Sequence, residues 1–463
     1  MSRLRPLVYA LAVCVSLSVL SARAWAAPAA ATETKTPIKH FIVVMQENHS
    51  FNNYFGTYPG ADGIPEGVCM PVDPFDEANT DCVEPFRIGD NEVTLEDPDH
   101  SAATHQLQYN DGNLDGFVYA LNKRNQDGRL TMGYYDERDL PYYWNLADEY
   151  VLFDRFFSSA AGGSFLNHMY WVAGQPAGSG DRMTGEPINN LPTIFDRLEE
   201  KGISWKFYVQ NYEPRLNYRT VHEFPGNRAS QVTWVPVLNM DRFIDDSRYS
   251  SHIVNLDQYF EDLRNGTLPA VAYIAPSGPS EHPPSSIQAG QKFVRSLIQA
   301  LIARDAWHSS VFVLTYDDWG GWYDHVLPRR VDEFGYGFRV PALMISPYAK
   351  RGHIDHTELD YTSLLKFIQY NWGVGPLSTR DAQANNLLSA FDFNQVPRVA
   401  RFIPFERTTE EKRPEPRRSM IYIAYGLAIT LTTLLIAFAG WRSRRSAKAA
   451  QPDSTQNEEH SSP

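Results

Sequence analysis

Short apolar runs alternate with helical patterns along most of this chain, and this alternation restricts the folds open to it. The predicted strands are 38–45, 203–209, 269–274, 311–316 and 340–346, and the predicted helices are 140–149, 191–201, 289–304 and 361–370. Strands that are apolar throughout, without polar alternation, are typical of a sheet covered on both faces. We therefore predict an α/β fold: a mostly parallel sheet with helices on both faces, plus insertions around 58–130 and 210–260.

Residues 1–26 have the pattern of a secretory signal peptide. Arg3 and Arg5 form a basic start, residues 7–20 are apolar, and Ala24-Trp25-Ala26 offers small residues at a cleavage point. An uncleaved anchor helix is the alternative, although about 20 apolar residues are needed to span a bilayer. A linker of small residues is predicted over 27–37, followed by a body at 38–404.

A second apolar run, 420–441, carries no charge and is predicted to be a C-terminal transmembrane helix. A buried core helix is the alternative. A polar tether is expected over 405–419 and a cytoplasmic tail over 442–463. Together with the signal peptide, this run predicts an exported body anchored to the cytoplasmic membrane, with the membrane as a partner and the body in the periplasm or at the cell surface.

The charge of the chain restricts its other partners. The formal net charge is −13, and residues 27–411 carry −20 because both ends are basic. An acidic body is a poor match to duplex nucleic acid, which needs cations facing phosphate, so no nucleic-acid partner is expected. Broad adhesion to anionic lipid is disfavoured for the same reason. The sequence leaves the oligomeric state open.

Two cysteines remain after the predicted signal peptide. Cys69 and Cys82 lie 13 residues apart in a loop rich in Pro, Asp and Asn. In an exported chain such a pair indicates one disulfide. Metal binding by this pair alone is disfavoured, because a structural zinc site takes four ligands.

Polar residues follow two of the predicted strands directly. Glu47 and Asn48 come just after 38–45, and Asp317 and Asp318 follow 311–316. In a parallel α/β sheet, ligands bind at the carboxyl ends of the strands, where these residues would meet. Crowded carboxylates resist ionisation unless a cation offsets them, and oxygen ligands suit a divalent metal. A solvated turn is the alternative, because Asp-Asp-Trp-Gly-Gly is also typical of turns.

Other segments offer a nucleophile and acid–base groups. Ser164 follows two glycines and precedes an apolar helical run, so it is either a metal-activated nucleophile or a helix N-cap. The histidines singled out by their context are His100, His282 and His325. The chain has no G-x-S-x-G elbow, P-loop or dinucleotide fingerprint, which removes the main support for those classes of enzyme.

Seven segments together resemble one bacterial phosphoesterase family, which includes phosphocholine-type phospholipases C and an acid phosphatase. They are 38–63, 97–117, 132–174, 281–291, 315–326, 337–352 and 356–368. The resemblance implies an alkaline-phosphatase-like fold. It also implies a divalent metal ion, of unknown identity, held by Glu47, Asn48, Asp317, Asp318 and Ser164. Ser164 would attack a phosphoester and form a transient phosphoseryl enzyme.

The resemblance implies roles for the histidines as well. His100, His282 and His325 would contact the phosphoryl oxygens or protonate the leaving group. One departure lies near the nucleophile, where Asn167-His168 stands in place of the Asn-Arg that is common in the family. The phospholipase branch looks to have Thr in place of the serine and Asp-Glu in place of Asp-Asp, so this chain looks closer to the phosphatase branch.

These observations predict a metal-dependent phosphoesterase of the phosphatase or phospholipase C type, with a small phosphoester or a phospholipid headgroup as substrate. Two alternatives stay open. One is a phospholipase C that acts on headgroups of nearby lipids. The other is a non-catalytic surface module that keeps the fold, for which ten Trp and an aromatic content of 13% would suit carbohydrate or lipid contact.

Overall fold

A computed structural model of the protein describes residues 33–407, except 91–94, 179–184, 225, 227–229 and 279, together with 425–435, 437–439 and 441. The predicted signal peptide, most of the linker, most of the tether and the tail therefore lie outside the described residues. The chain divides into two units, Met1–Arg407 and Thr408–Pro463, and the sheet belongs to the first.

The strands of the described chain are β1 His40–Gln46, β2 Met70–Pro71, β3 Cys82–Val83, β4 Phe86–Arg87, β5 Gly133–Tyr134, β6 Val151–Phe153, β7 Trp205–Val209, β8 Ile253–Asn255, β9 Val271–Ala275, β10 Ser310–Tyr316, β11 Ala342–Ile345 and β12 His353–Asp355. Eight of them form one sheet in the order β12-β6-β11-β10-β1-β9-β7-β8. Only β11 is antiparallel to its neighbours within this sheet. The predicted mostly parallel sheet is confirmed, and all five predicted strands are found within two residues of their predicted ends.

The helices of the same part of the chain are α1 Phe51–Phe55, α2 Ala102–Tyr109, α3 Phe117–Asn122, α4 Pro141–Glu149, α5 Ser164–Ala173, α6 Ile194–Glu200, α7 Gln231–Trp234, α8 Asp241–Asp245, α9 Ser247–Ser250, α10 Asp257–Asn265, α11 Ile287–Ile302, α12 Tyr361–Trp372 and α13 Thr379–Gln383. The four predicted helices correspond to α4, α6, α11 and α12, each within three residues. Most of the remaining helices lie in the segments that were predicted to be insertions.

Helices cover both faces of the sheet, as expected. Successive side chains of a strand point to opposite faces, and β7 shows what each face meets. The ring of Phe207 lies 5.6 Å from the ring of Trp171 in α5. The next ring along the strand, that of Tyr208, lies 5.5 Å from the ring of Tyr259 in α10. One face therefore packs against α5 and the other against α10, which explains why the strands are apolar without alternation.

The predicted C-terminal transmembrane helix at 420–441 is wrong. Among the residues described, no helix combines the length and the apolar character needed to cross a membrane. The predicted membrane contact through this helix therefore has no support.

The predicted disulfide is present between Cys69 and Cys82. It links β3 to the residue before β2, and these two strands pair in antiparallel fashion at the edge of an insertion. The insertion has little regular structure here, because each of the two strands has only two residues. The cross-link therefore supplies a constraint that so short a pair of strands does not.

Replacing both cysteines tests this role. We expect the Cys69→Ser/Cys82→Ser variant to lose about 3 kcal/mol in the free energy of unfolding, because a closed loop of this length restricts the unfolded chain by about that amount. Urea unfolding of the oxidised protein and of the variant measures the difference. Reductant should lower the wild type to the level of the variant and leave the variant unchanged. Equal stability of the two oxidised proteins would show that the loop needs no cross-link.

Candidate active site

The carboxyl ends of β1 and β10 lie side by side. Their parallel pairing places Gln46 opposite Tyr316, and the backbone N–H of Asp317 donates to the carbonyl oxygen of Gln46 at 3.0 Å. Glu47 and Asp317 therefore leave adjacent strands at the same level. Both side chains are buried. Two carboxylates from distant parts of the sequence therefore lie close together at the edge of the sheet, away from solvent.

Two backbone N–H groups donate to one oxygen of the Asp317 carboxylate. The N–H of Asn48 donates to Asp317 Oδ1 at 3.0 Å, and the N–H of Asp318 donates to the same oxygen at 2.8 Å. Asn48 has a left-handed backbone with φ of 65°. The turn that follows requires glycine at Gly320, because a Cβ there would lie 2.2 Å from the carbonyl oxygen of Asn48.

Ser164 points toward this cluster from the first turn of α5. Gly163 is the N-cap of the helix and Ser164 is its first residue, so the serine is not the cap. Its hydroxyl instead donates to Asp318 Oδ2 at 3.4 Å. Ser164 also lines an open cleft of about 630 Å³, together with Asp97 and His100. The hydroxyl thus stands between the buried carboxylates and the solvent.

His100 and His282 lie together beside the same cluster, with ring centres 6.0 Å apart. Nδ1 of His100 lies 2.8 Å from the carbonyl oxygen of Pro98, which leaves Nε2 facing the Asn48 amide nitrogen at 3.3 Å. Nε2 of His282 lies 3.9 Å from Glu47 Oε2. Asp97 and the two histidines also present donor atoms within 4.8 Å of one another, which is close enough to share a cation.

His325 lies in a different environment. Its Nε2 lies 3.2 Å from Asp62 Oδ1, and its Nδ1 lies 3.0 Å from the Asn52 amide nitrogen and 3.3 Å from Arg339 Nη2. None of these three neighbours lines the cleft beside Ser164. The structure therefore brings together Glu47, Asn48, Asp317, Asp318, Ser164, His100 and His282 but gives His325 other partners.

In the sequence His168 stands out only as a departure from the family pattern, yet this residue reaches the cluster. Its Nε2 lies 3.6 Å from Asp317 Oδ2, and both residues are fully buried. Ser164 and His168 are four residues apart, a spacing that places both on one face of a helix. Applied to the helical run after Ser164, that spacing would have indicated His168 as a site residue.

Burial and crowding set the acidity of the site. Burial raises the pKa of Glu47 well above its usual range, and the charges of Asp317 and Asp318 raise it further. Burial also works against the ionised form of Asp317, but the His168 ring, the Ser164 hydroxyl and the Asn48 N–H together hold the pKa of Asp317 below its usual value. The site therefore favours one ionised carboxylate and penalises the next.

The cluster fits a divalent cation. Asp317 Oδ2 and Asn48 Oδ1 are buried and have no hydrogen-bond partner, which is costly unless another group satisfies them. Both are oxygen donors, and they lie beside Glu47, whose charge is opposed by its neighbours. Carboxylate, amide and hydroxyl oxygens are ligands that divalent cations accept.

A parallel α/β sheet that presents carboxylates, an amide, a serine and two imidazoles at its carboxyl edge defines a class of hydrolytic enzyme. The chain belongs to the Phosphoesterase family, whose model matches residues 38–375. It is 30% identical over 424 residues to Phospholipase C B of Mycobacterium tuberculosis, which covers 78% of this chain and 79% of that protein. The protein is thus a phosphoric ester hydrolase.

Further similarities extend across kingdoms. Non-specific phospholipase C6 of Arabidopsis thaliana is 26% identical over 417 residues, which cover 79% of this chain and 74% of that protein. A solved structure in the alkaline phosphatase superfamily, from Vibrio parahaemolyticus, aligns with a TM-score of 0.35 and 11% identity over 76% of this chain and 70% of that chain.

Metal binding can be measured without any substrate. At 100 times its dissociation constant, a divalent cation should stabilise the metal-stripped protein by about 2.7 kcal/mol, because it binds the folded state only. We expect Asp317→Asn to lose most of this gain, since the change removes a charged ligand. Asp262→Asn is the matched control, because Asp262 is also buried but bonds to Lys206 and Tyr208. Equal stabilisation of wild type and Asp317→Asn would place the cation elsewhere.

Proposed function

We propose that the protein hydrolyses phosphoesters with Ser164 as the nucleophile, in a metal-dependent reaction. The observation that carries this proposal is the hydrogen bond at 3.4 Å from the hydroxyl of Ser164, which lines an open cleft, to Asp318 Oδ2. It joins a serine and a carboxylate that are 154 residues apart in the chain, which a simple helix cap would not require.

The residues that would hold the metal are Glu47, Asn48, Asp317 and Asp318, with the Ser164 hydroxyl beside them. When bound, a divalent cation supplies positive charge that offsets the carboxylates, favours the alkoxide of the serine and polarises a phosphoryl oxygen. Asp318 orients the Ser164 oxygen toward the cleft. The oxygen then attacks phosphorus, the alcohol leaves, and water hydrolyses the phosphoseryl enzyme.

We assign His100 and His282 to the phosphoryl and leaving-group oxygens. Nδ1 of each ring lies within 2.9 Å of a backbone carbonyl oxygen, so substrate would be contacted through Nε2, which in His100 also faces the Asn48 amide nitrogen at 3.3 Å. An imidazolium can donate the Nε2 proton to the departing alcohol. His325 is left out of this scheme, because its contacts are with Asp62, Asn52 and Arg339.

A phospholipid diester is the more specific candidate substrate, and the relatives named phospholipase C support it. A phosphate monoester is the alternative, and the Asp317-Asp318 pair and Ser164 support it. We also infer that the body is exported, which the disulfide supports because such cross-links persist in oxidising compartments. A non-catalytic module is set aside, since the chain belongs to a family of phosphoric ester hydrolases.

Turnover of two esters separates these possibilities. We expect the wild type to hydrolyse nitrophenyl phosphate or its phosphocholine diester, and to lose this activity on removal of metal by a chelator. Ser164→Ala should lower kcat/KM by at least about 10⁴-fold, as loss of a nucleophile does.

Ser296→Ala is the matched control, because this serine lies on α11 and bonds only to a carbonyl oxygen of its own helix. Wild-type rates in Ser164→Ala would exclude the serine as nucleophile. The ratio of the two rates in the wild type decides between a phosphatase and a phospholipase C.

A further inference from the structure

A carboxyl group that takes no part in the proposed chemistry is buried directly behind the site. Glu281 is fully buried and precedes His282 in the segment between β9 and α11. Four hydrogen-bond donors converge on its two carboxyl oxygens. The donors are the hydroxyls of Tyr54, Tyr143 and Tyr316 and the side-chain amide of Gln46.

Two of these donors end the strands that carry the proposed metal ligands. Gln46 is the last residue of β1, and its Nε2 donates to Glu281 Oε1 at 3.3 Å. Tyr316 is the last residue of β10, and its hydroxyl donates to Glu281 Oε2 at 2.7 Å. Glu281 is therefore bonded one residue away from Glu47 on one strand and one residue away from Asp317 on the other.

The backbone around Glu281 depends on this anchorage. The carbonyl oxygen of Ser280 accepts a hydrogen bond from the N–H of Glu47 at 2.9 Å. Glu281 itself has φ of 69°, a left-handed conformation that is unfavourable for a residue with a long side chain. Gly290 in α11 leaves space for the carboxyl group, because a Cβ at that position would lie 2.0 Å from Glu281 Oε1.

We propose that Glu281 is a positioning residue, whose bonds to Gln46 and Tyr316 hold His282 at a set distance from Glu47 and Asp317. This inference rests on the proposed function, because the position of His282 matters for catalysis only if its ring acts on the ester. Without the Glu281 carboxyl group, the segment keeps only backbone contacts, from the Glu47 N–H to Ser280 and from His49 Nε2 to the Glu281 carbonyl oxygen, and it relaxes. His282 then moves away from Glu47, to which its Nε2 is now 3.9 Å distant.

The hydrogen bonds at Glu281 require a polar side chain of this length more than they require a negative charge. Burial raises the pKa of Glu281 to about 7, while its hydrogen-bond donors oppose the rise. Tyrosine hydroxyls can accept as well as donate a hydrogen bond, so the amide of glutamine can take the place of the carboxyl group. We therefore expect Glu281→Gln to keep kcat/KM within about threefold of the wild-type value, whereas Glu281→Ala loses the anchor.

A double-mutant cycle tests whether Glu281 acts through His282. We expect Glu281→Ala and His282→Ala each to lower kcat/KM by about 10²-fold, the effect of a misplaced or missing acid–base group. If Glu281 acts by holding His282, the double variant is no slower than His282→Ala alone. Effects that multiply to about 10⁴-fold would overturn the proposal, because they would show two independent contributions.

Tyr143→Phe provides a milder variant in case Glu281→Ala does not fold, since it removes one donor and keeps the packing. It should lower kcat/KM in the wild type and have no effect in His282→Ala. Tyr208→Phe is the control, because its hydroxyl bonds in the same way to a buried carboxylate, but to that of Asp262 and not to that of Glu281. Equal effects of the two Tyr→Phe changes would count against the proposal.

The imidazole resonances of His282 provide a readout that does not depend on turnover. They should shift in Glu281→Ala and in Tyr143→Phe and stay in place in Tyr208→Phe, all measured by NMR on folded, metal-loaded protein. If the wild type hydrolysed neither ester, the proposed function would be refuted, but the shift of the His282 resonances could still be measured. Unchanged His282 resonances in Glu281→Ala would end the positioning role.

Discussion

The parallel pairing of β1 with β10 is the interaction on which the site depends. Both strands are buried almost throughout, so the hydrophobic effect fixes their place at the centre of the sheet. Their register sets Gln46 opposite Tyr316. A slip of one residue would turn every side chain to the other face, and Glu47 would then leave Asp317. Two of the donors to Glu281, Gln46 and Tyr316, would separate as well, because they are the last residues of the same two strands.

Placing several carboxylates at this edge is electrostatically unfavourable, and the surrounding groups offset this repulsion only in part. Asp317 accepts hydrogen bonds from two backbone N–H groups, and its Oδ2 lies 3.6 Å from His168 Nε2. Its ionised form is therefore favoured in spite of burial. For Glu47 burial and like charges dominate, and its pKa rises. The unsatisfied oxygens of Asp317 and Asn48 remain. A bound cation would resolve both the excess charge and these unsatisfied oxygens.

The central elements were predictable because their signals are local. A run of seven buried residues such as β10 is visible as an apolar sequence, whereas β6, β8 and β12 have three residues each and fall below what periodicity can show. The same limit applies to the short helices of the insertions. The transmembrane prediction rested on a long uncharged apolar run, and no helix among the described residues is long and apolar enough to cross a membrane.

Adjacency at the ends of strands could be inferred from the sequence, because parallel strands end at one edge whatever the loops do. Glu47, Asn48, Asp317 and Asp318 were found in this way. Contacts made through long insertions could not be inferred, because they depend on how loops pack. His325 follows the same strand as Asp317 but ends beside Arg339, while His282 and Glu281 reach the site from a different loop. Residue order thus identified the candidate ligands, and loop packing decided which histidines lie beside them.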